Sequence, residues 1–228
     1  MYLDFINFNV MHIAIIPDGN RRWALDHHQS ITQGYEQGIR AVKEIVKEAL
    51  QHDVRCMTFF VLSTENAKRD AKWIGVIKAI FHHYFVPFCE EAIQHGCKLR
   101  FIGDSQILGD DIHHMILSVA DRIPQETKMH LNFCVGYSGR SDMMQAVRRM
   151  IEAHADPEEF PKFLSTHGLP DPDIMIRTGG EMRVSNFLLF EMAYTELFFV
   201  KKYWPDFTKD DLKMIIQDFK QRERRFGL

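Results

Sequence analysis

The stretch His12-Ile13-Ala14-Ile15-Ile16-Pro17-Asp18-Gly19-Asn20-Arg21-Arg22-Trp23 decides the fold. An apolar run rich in isoleucine stops at a proline, turn formers follow, and a helix-compatible segment comes next. A continuously apolar strand is one buried on both faces, as in a parallel sheet. Working outward, the unit recurs. Ile39, Val42, Val46 and Ala49 share one helical face. Residues 57–62 read as a strand ahead of a long helical segment over 71–95. Residues 99–102 precede a helical face of Leu108, Ile112, Ile116, Val119 and Ile123, and 131–135 precede one of Met143, Val147, Met150 and Ile151. Met143, Met144 and Met150 read as core filler. Residues 173–176 and 196–199 are two further strands. The last helix has Thr208 as N-cap with Asp211 three residues on, and turns Leu212, Ile215, Ile216 and Phe219 inward. The alternation predicts an α/β fold, a single domain with a mainly parallel central sheet flanked by helices.

Composition agrees. At roughly 150 residues per domain, 228 residues make one to two domains, and no Pro-, Gly- or Ser-rich linker divides them. With 46% hydrophobic and 26% charged residues the chain reads as a soluble globular protein, which excludes disorder, collagen and coiled coil. A net charge of −3 argues against nucleic acid as a partner, so any anion recognition is local. No apolar run approaches the roughly 18 residues of a transmembrane segment. Residues 1–10 carry Asp4 and no Lys or Arg, unlike a secretory signal, which predicts a cytoplasmic location. Cys56, Cys89, Cys97 and Cys134 lack C-x-x-C spacing and are expected as free thiols, with neither zinc nor a disulfide. Three His-His pairs, at 27–28, 82–83 and 113–114, place neighbours on different helix faces and read as surface residues.

Ligands of open α/β sheets bind beyond the carboxyl ends of the strands, so the residues there carry the functional reading. After the first strand, Pro17 to Trp23 offer free backbone N–H groups, one carboxylate and two guanidiniums. Gly19 lets the backbone approach an anion closely, and Asp18 is the hard oxygen ligand that a Mg²⁺ bridging phosphate oxygens needs. Asp-Gly-Asn is also a common capping turn, and both readings stand at this point. The second strand runs into Ser63-Thr64-Glu65-Asn66-Ala67-Lys68-Arg69, and the fifth into Arg177-Thr178-Gly179-Gly180-Glu181-Met182-Arg183-Val184-Ser185-Asn186. Guanidinium forks match phosphate oxygens in geometry, which makes the second of these an anion cradle; a solvated salt-bridge network is the competing reading.

These motifs, with Ile102-Gly103-Asp104, residues 176–189, Ala193-Tyr194-Thr195-Glu196-Leu197 and Arg222-Glu223-Arg224-Arg225-Phe226-Gly227, resemble the cis-prenyltransferases, the family of undecaprenyl diphosphate synthase. The resemblance spans residues 12–228 as the catalytic domain and leaves 1–11 as an N-terminal extension. It implies a dimeric α/β enzyme, a homodimer in the simplest case, that joins isopentenyl diphosphate to an allylic diphosphate with Mg²⁺ and leaves a Z double bond. A lipid product implies peripheral membrane contact. By the same resemblance Asp18 organises the metal, while Gly19, Asn20, Arg21 and Arg22 hold the allylic diphosphate. Trp23, Tyr35 and Glu65 complete that substrate-binding set. Arg177, Arg183 and Ser185 match the residues that bind isopentenyl diphosphate, and Glu196 matches a carboxylate near its metal or water shell. Ser63, Asn66 and Arg69 match residues that assist proton removal and leaving-group departure. Arg225 and Gly227 match a terminal R-x-G element that reaches a site at the subunit interface. Phe59, Val61, Phe85 and Leu131 are candidates for an apolar tunnel, or ordinary core.

The chain also departs from the family pattern. Ile31 and Tyr35 stand where the family usually has Arg and His against the allylic diphosphate, Ala67 where it has Trp, Asp70 where it has Pro, Trp73 where it has Glu, and Gly136 where it has Asn. Pro17, Arg21 and Tyr35 together resemble the branch that makes short, irregular or cyclised prenyl products, such as cyclolavandulyl diphosphate synthase. Two alternatives therefore stand beside chain elongation: a changed acceptor or product, and a non-catalytic heterodimer subunit, against which the retained Asp18 speaks.

Overall fold

The computed structural model describes residues 11–65 and 71–222, with the backbone alone for 71–73. Six strands form one sheet: β1 Met11–Ile16, β2 Val54–Ser63, β3 Cys97–Ile102, β4 Met129–Tyr137, β5 Ile174–Arg177 and β6 Glu196–Phe199. Their order is β3-β4-β2-β1-β5-β6, and every pairing is parallel. The helices are α1 Asn20–Asp26, α2 Ile31–Ala49, α3 Ala71–Ile80, α4 Val86–Gln94, α5 Asp110–Ala120, α6 Gly139–Glu152 and α7 Lys209–Gln221. The expected Thr208–Asp211 capping box opens α7. Another, Ser30 with Gln33, opens α2. Among the described residues no helix is long and apolar enough to cross a membrane.

Side chains alternate across the strands and build two unequal cores. One face gathers Ile13, Ile15, Met57, Phe59, Leu131, Phe133 and Ile176, together with residues of α2, α4, α5 and α7, into the main apolar core. The other holds a smaller apolar cluster of Ala14, Ile16, Phe60, Cys134, Phe187 and Leu188.

Three expectations are corrected. The helical segment over 71–95 is interrupted by a π-helical turn, Phe81–Phe85. Pro87 has no N–H to offer the preceding turn and its ring crowds the carbonyl four residues back, so the winding loosens there. Helix α5 stops at Ala120 and leaves Ile123 exposed ahead of Pro124. On α6, Met144, Val147 and Ile151 point outward, Met143 and Met150 are half-buried, and the inward face is Gly139, Asp142 and Ala146. That helix rests on a short-residue face beside the 3₁₀ segment Pro157–Phe163, so its methionines are not core filler.

His12 lies on the smaller face, fully buried. Its Nδ1 is 2.7 Å from the Pro170 carbonyl and its Nε2 is 2.8 Å from Thr58 Oγ1, which in turn accepts from Asn132 Nδ2 at 3.1 Å. A carbonyl only accepts, so Nδ1 carries the proton and Nε2 accepts from the threonine. Burial pushes the imidazole down to about 4, against smaller opposing contributions from the Pro170 carbonyl and Asp173. Between pH 6.5 and that value the unfolded chain binds a proton that the folded chain does not, so stability falls as the pH falls. Urea unfolding should show a loss of roughly 3 kcal/mol from this group between pH 7 and pH 4. A His12→Gln variant should be less stable at pH 7 and lack that component of the slope.

Candidate active site

The site forms where two strand ends lie side by side. β1 ends at Ile16 and β5 at Arg177, and these residues are direct partners in the sheet. From β1 the chain goes on to β2 on one side, while β5 lies on the other, which makes this a topological switch point. Beyond β1 the backbone turns at Gly19 with φ 108°. A Cβ there would sit 2.7 Å from Tyr203 Cδ1, so both conformation and space call for glycine. Asn20 Nδ2 closes the turn by donating to the Pro17 carbonyl at 2.9 Å.

Asp18 is gripped from two sides. Its Oδ2 accepts from Arg177 Nη2 at 2.9 Å and its Oδ1 from Arg22 Nη2 at 3.2 Å. Its backbone carbonyl accepts from Thr178 Oγ1 at 2.7 Å. Arg177 is almost fully buried, and its Nη1 also donates to the Arg183 carbonyl and, at 2.7 Å, to Ser185 Oγ. Arg22 Nη1 donates to the Gly179 carbonyl at 2.8 Å and lies 3.5 Å from Glu181 Oε1. The other oxygen of Glu181 accepts from Arg183 Nη1 at 2.5 Å.

The charged side chains of this network line a cavity of about 1010 Å³. Asp18, Gly19, Asn20, Arg21, Arg22, Arg177, Arg183 and Ser185 all line it, so the two sequence-derived cradles form one site. Ser63, buried at the end of β2, Glu65 and Tyr35 also reach its wall. Burial raises the Glu65 carboxyl, but hydrogen bonds from Asn186, Ser63 and Thr64 outweigh it and hold the group below the ordinary range. The remaining wall is apolar: Phe59, Val61 and Phe85 as expected, joined by Phe81, Phe88, Phe101 and Phe133. Leu131 is fully buried and does not line it; Phe133 and Val135, two and four residues on along the same strand face, do.

Other candidates lie elsewhere. Trp23 turns outward, donates to Asp206 Oδ1 at 2.7 Å and stacks on His27. Glu196 opens β6, paired with Ile174 at the opposite end of the sheet from Arg177, and binds Arg222 at 2.6 Å. Within one chain, parallel pairing therefore carries Glu196 away from the cavity. Asn66, Arg69, Arg225 and Gly227 lie outside the described residues, as do Ala67, Asp70 and residues 1–10. Gly136 has a local reason: φ is 62°, and a Cβ would press on the Asp104 carbonyl oxygen.

Besides the apolar residues, Glu181, Arg140 and Asn186 of the wall were absent from the sequence-based set. Glu181 reads as one acid in a polar loop, and only its two arginine contacts show its place. Arg140 follows the β4 end and was within reach of the strand-end rule. Asn186 bridges Glu65 and the start of α6, donating to Glu65 Oε1 at 2.8 Å and accepting from the Arg140 N–H at 2.9 Å. Among the described residues no three His, Cys, Asp or Glu side chains converge as a metal site. Asp18, whose two oxygens here accept from Arg22 and Arg177, is of the hard-oxygen type that Mg²⁺ takes one or two of, with substrate phosphate oxygens and water completing the shell.

Comparison with known proteins agrees with this geometry. Residues 16–227 match the family model described as "Putative undecaprenyl diphosphate synthase". The chain is 33% identical over 225 residues to a ditrans,polycis-undecaprenyl-diphosphate synthase of Legionella pneumophila, covering 95% of this chain and 94% of that one. It is 36% identical over 226 residues to a tritrans,polycis-undecaprenyl-diphosphate synthase of Pyrobaculum aerophilum, covering 95% of each. The crystal structure of lavandulyl diphosphate synthase from Lavandula x intermedia, in complex with dimethylallyl diphosphate, superposes with a TM-score of 0.84 at 28% identity, over 96% of this chain and 99% of that one. The chain belongs to the cis-prenyltransferase family, and it is a prenyltransferase with that family's fold.

Arg177 ties β5, the loop after it and Asp18 together from a buried position. Arg177→Ala would leave a carbonyl, a hydroxyl and a carboxylate without their partner. A loss of about 1–3 kcal/mol is expected, read as a lowered urea midpoint at unchanged m-value.

Proposed function

We propose that the chain condenses isopentenyl diphosphate with an allylic diphosphate to form a Z-prenyl diphosphate, with Mg²⁺ as cofactor. The supporting observation is the cavity itself, whose wall carries five guanidiniums, three carboxylates and a run of stacked aromatic rings. Such a site holds an amphiphile with a multiply charged head and a hydrocarbon tail. Arg22 and the turn at Gly19 bind the allylic head; Arg177, Arg183 and Ser185 bind the second diphosphate. When bound, the metal neutralises charge on the leaving diphosphate, with Asp18 as its protein ligand.

Departure of the allylic diphosphate breaks a C–O bond and leaves a delocalised cation. The double bond of isopentenyl diphosphate supplies the electron pair for the new C–C bond, and loss of one proton completes the Z alkene. Holding both heads within one cradle sets the reacting carbons at near-attack distance. The apolar wall keeps water from intercepting the cation. The released diphosphate takes the proton; Ser63, on the wall of the same cavity, can orient it, and the resemblance adds Asn66 and Arg69 to that step. The domain is taken as 12–228, and its product gives it a route to peripheral membrane contact. The four buried free thiols, Cys56, Cys89, Cys97 and Cys134, support a reducing, cytoplasmic compartment.

A second reading, a short or irregular product, is supported by Tyr35, a neutral phenol on the cavity wall where the family places a cation. One experiment tests both. The chain is incubated with Mg²⁺ and each allylic diphosphate, with and without isopentenyl diphosphate, and the products are weighed by mass spectrometry. Regular C5 increments are expected; a product from the allylic substrate alone would favour the second reading, and none at all would exclude both. Asp18→Ala should cut turnover more than tenfold, over ~1.4 kcal/mol of transition-state stabilisation, in a chain that still folds but with a lowered urea midpoint, because the buried Arg177 Nη2 loses its carboxylate.

The homodimer belongs to the same proposal. Met144, Val147 and Ile151 make an exposed stripe at helical spacing on α6, and Tyr194 and Leu197 are exposed at the edge strand β6. A self-complementary interface would cover such surfaces. Sedimentation should give a dimer, and Val147→Glu with Ile151→Glu should shift it to monomer; an unaltered dimer would place the interface elsewhere.

A further inference from the structure

Glu181 is an anion already seated among the cradle's guanidiniums. Its two oxygens divide between Arg22, on α1, and Arg183, on the loop after β5, at 3.5 and 2.5 Å. It lines the cavity with both of them, and its side chain is about one-third exposed (34%), so it faces the space a ligand enters. Arg22 is additionally anchored on the Gly179 carbonyl and lies over the Tyr203 ring, with its guanidinium carbon 5.4 Å from the centroid. With Asp18 Oδ1 at 3.2 Å as well, the arginine has a fixed seat, and the pair with Glu181 is the longest of its polar contacts. A carboxylate that joins two guanidiniums from separate elements occupies the position a phosphate oxygen would take.

We propose that Glu181 is an internal competitor of the substrate diphosphate: it keeps Arg22 and Arg183 paired in the unloaded chain and releases them when a diphosphate enters. The inference rests on the reading of this site as a diphosphate cradle. Three guanidiniums with Asp18 as their one paired carboxylate would still carry a surplus of positive charge, repel one another and attract any small anion. Glu181 offsets that repulsion and holds the arginines near their working positions. It also raises the threshold for entry: a ligand must offer both arginines more than one carboxylate does. A diphosphate, with two adjacent charged groups, meets that demand at both arginines at once, whereas a single phosphate replaces the carboxylate with little gain. Glu181 is thus a specificity-determining residue for the diphosphate head, acting by competition.

The test uses the full chain without metal, in chelator, and measures inorganic pyrophosphate and inorganic phosphate binding by calorimetry for wild type, Glu181→Gln and Glu181→Ala. Pairs as exposed as these are worth little each, so both variants should bind pyrophosphate roughly three- to tenfold more tightly, and the preference for pyrophosphate over phosphate should shrink. Unfolding midpoints confirm that each variant is folded, and a folded alanine variant decides the matter if the glutamine one is not. Wild-type binding with equal or weaker binding by the variants would overturn the competitor role and leave the cradle standing. Failure of wild type and variants alike to bind pyrophosphate would overturn the cradle, and the inference with it.

Discussion

The parallel pairing of β1 with β5, Ile16 opposite Arg177, is the constraint on which the site depends. It brings the residues just past Ile16 beside Arg177, and the contacts that follow are consequences of it. The Thr178 N–H donates to the Ile16 carbonyl, the Thr178 hydroxyl to the Asp18 carbonyl, and the Trp204 N–H to that same carbonyl. Side chains alternate along a strand, so a one-residue slip would turn Arg177 to the other face and dissolve the ion pair with Asp18. The precision of the cradle is inherited from a hydrogen-bond ladder. The loops inherit their positions from the same source, since the stretch after β5 returns its carbonyls to Arg22 and Arg177.

The two faces of the sheet divide the labour. The smaller face is packed and carries the His12–Thr58–Asn132 chain of hydrogen bonds, which fixes neighbouring strands against each other. The larger face is where the covering helices leave space. α3 and α4 pass through the π turn at Phe81–Phe85, and Phe81, Tyr84 and Phe85 from that turn line the cavity. A wider turn displaces its side chains from the row an unbroken α-helix would lay on the sheet. Aromatic contacts run along this wall: Phe85 with Phe101 at 5.5 Å, Phe101 with Phe133 at 5.7 Å, and Phe133 with Phe59 at 5.9 Å between centroids. Rings with two rotatable bonds hold such a wall at small entropic cost, which keeps the space open without a ligand to prop it.

Most of the architecture was legible because strand burial and helix capping are local signals. The apolar run before Pro17 and the Thr208–Asp211 box behaved as their residue types dictate. The strand-end rule singled out Asp18, Arg177 and Ser185, and the three meet in the fold. What failed were inferences from periodicity about what a face meets. α6 shows an apolar stripe, yet that stripe faces outward, because hydrophobic spacing marks a face to be covered without saying by what. Leu131 and Phe133 look alike in sequence and differ only in depth along the strand, which register alone decides. A different matter is Glu196, whose place within one chain, at the end of β6 opposite Arg177, is set by parallel topology, a relation that no local spacing encodes. Gly136 looked like a lost side chain, and the Asp104 carbonyl above it shows a backbone packed too closely to admit one.

Charge at the mouth of the cavity sets what the chain can hold. Five arginines, at positions 21, 22, 140, 177 and 183, line it against three carboxylates, Asp18, Glu65 and Glu181. That surplus of two positive charges is short of what two diphosphates bring, and Tyr35, neutral where the family carries a cation, adds nothing to it. The shortfall must be met inside a wall of low polarity, where uncompensated charge is costly. Two sources remain. A divalent cation, which Asp18 would hold, would add two charges, and release of Arg22 and Arg183 from Glu181 would free donors already counted but engaged. Both are called on only when diphosphate is present, because the cation lacks a complete protein ligand set and the arginines lack a reason to leave their carboxylate. On the proposed reading, substrate binding and assembly of the charged centre would be one event, because the diphosphate brings the charge that both the cation and the freed arginines would answer.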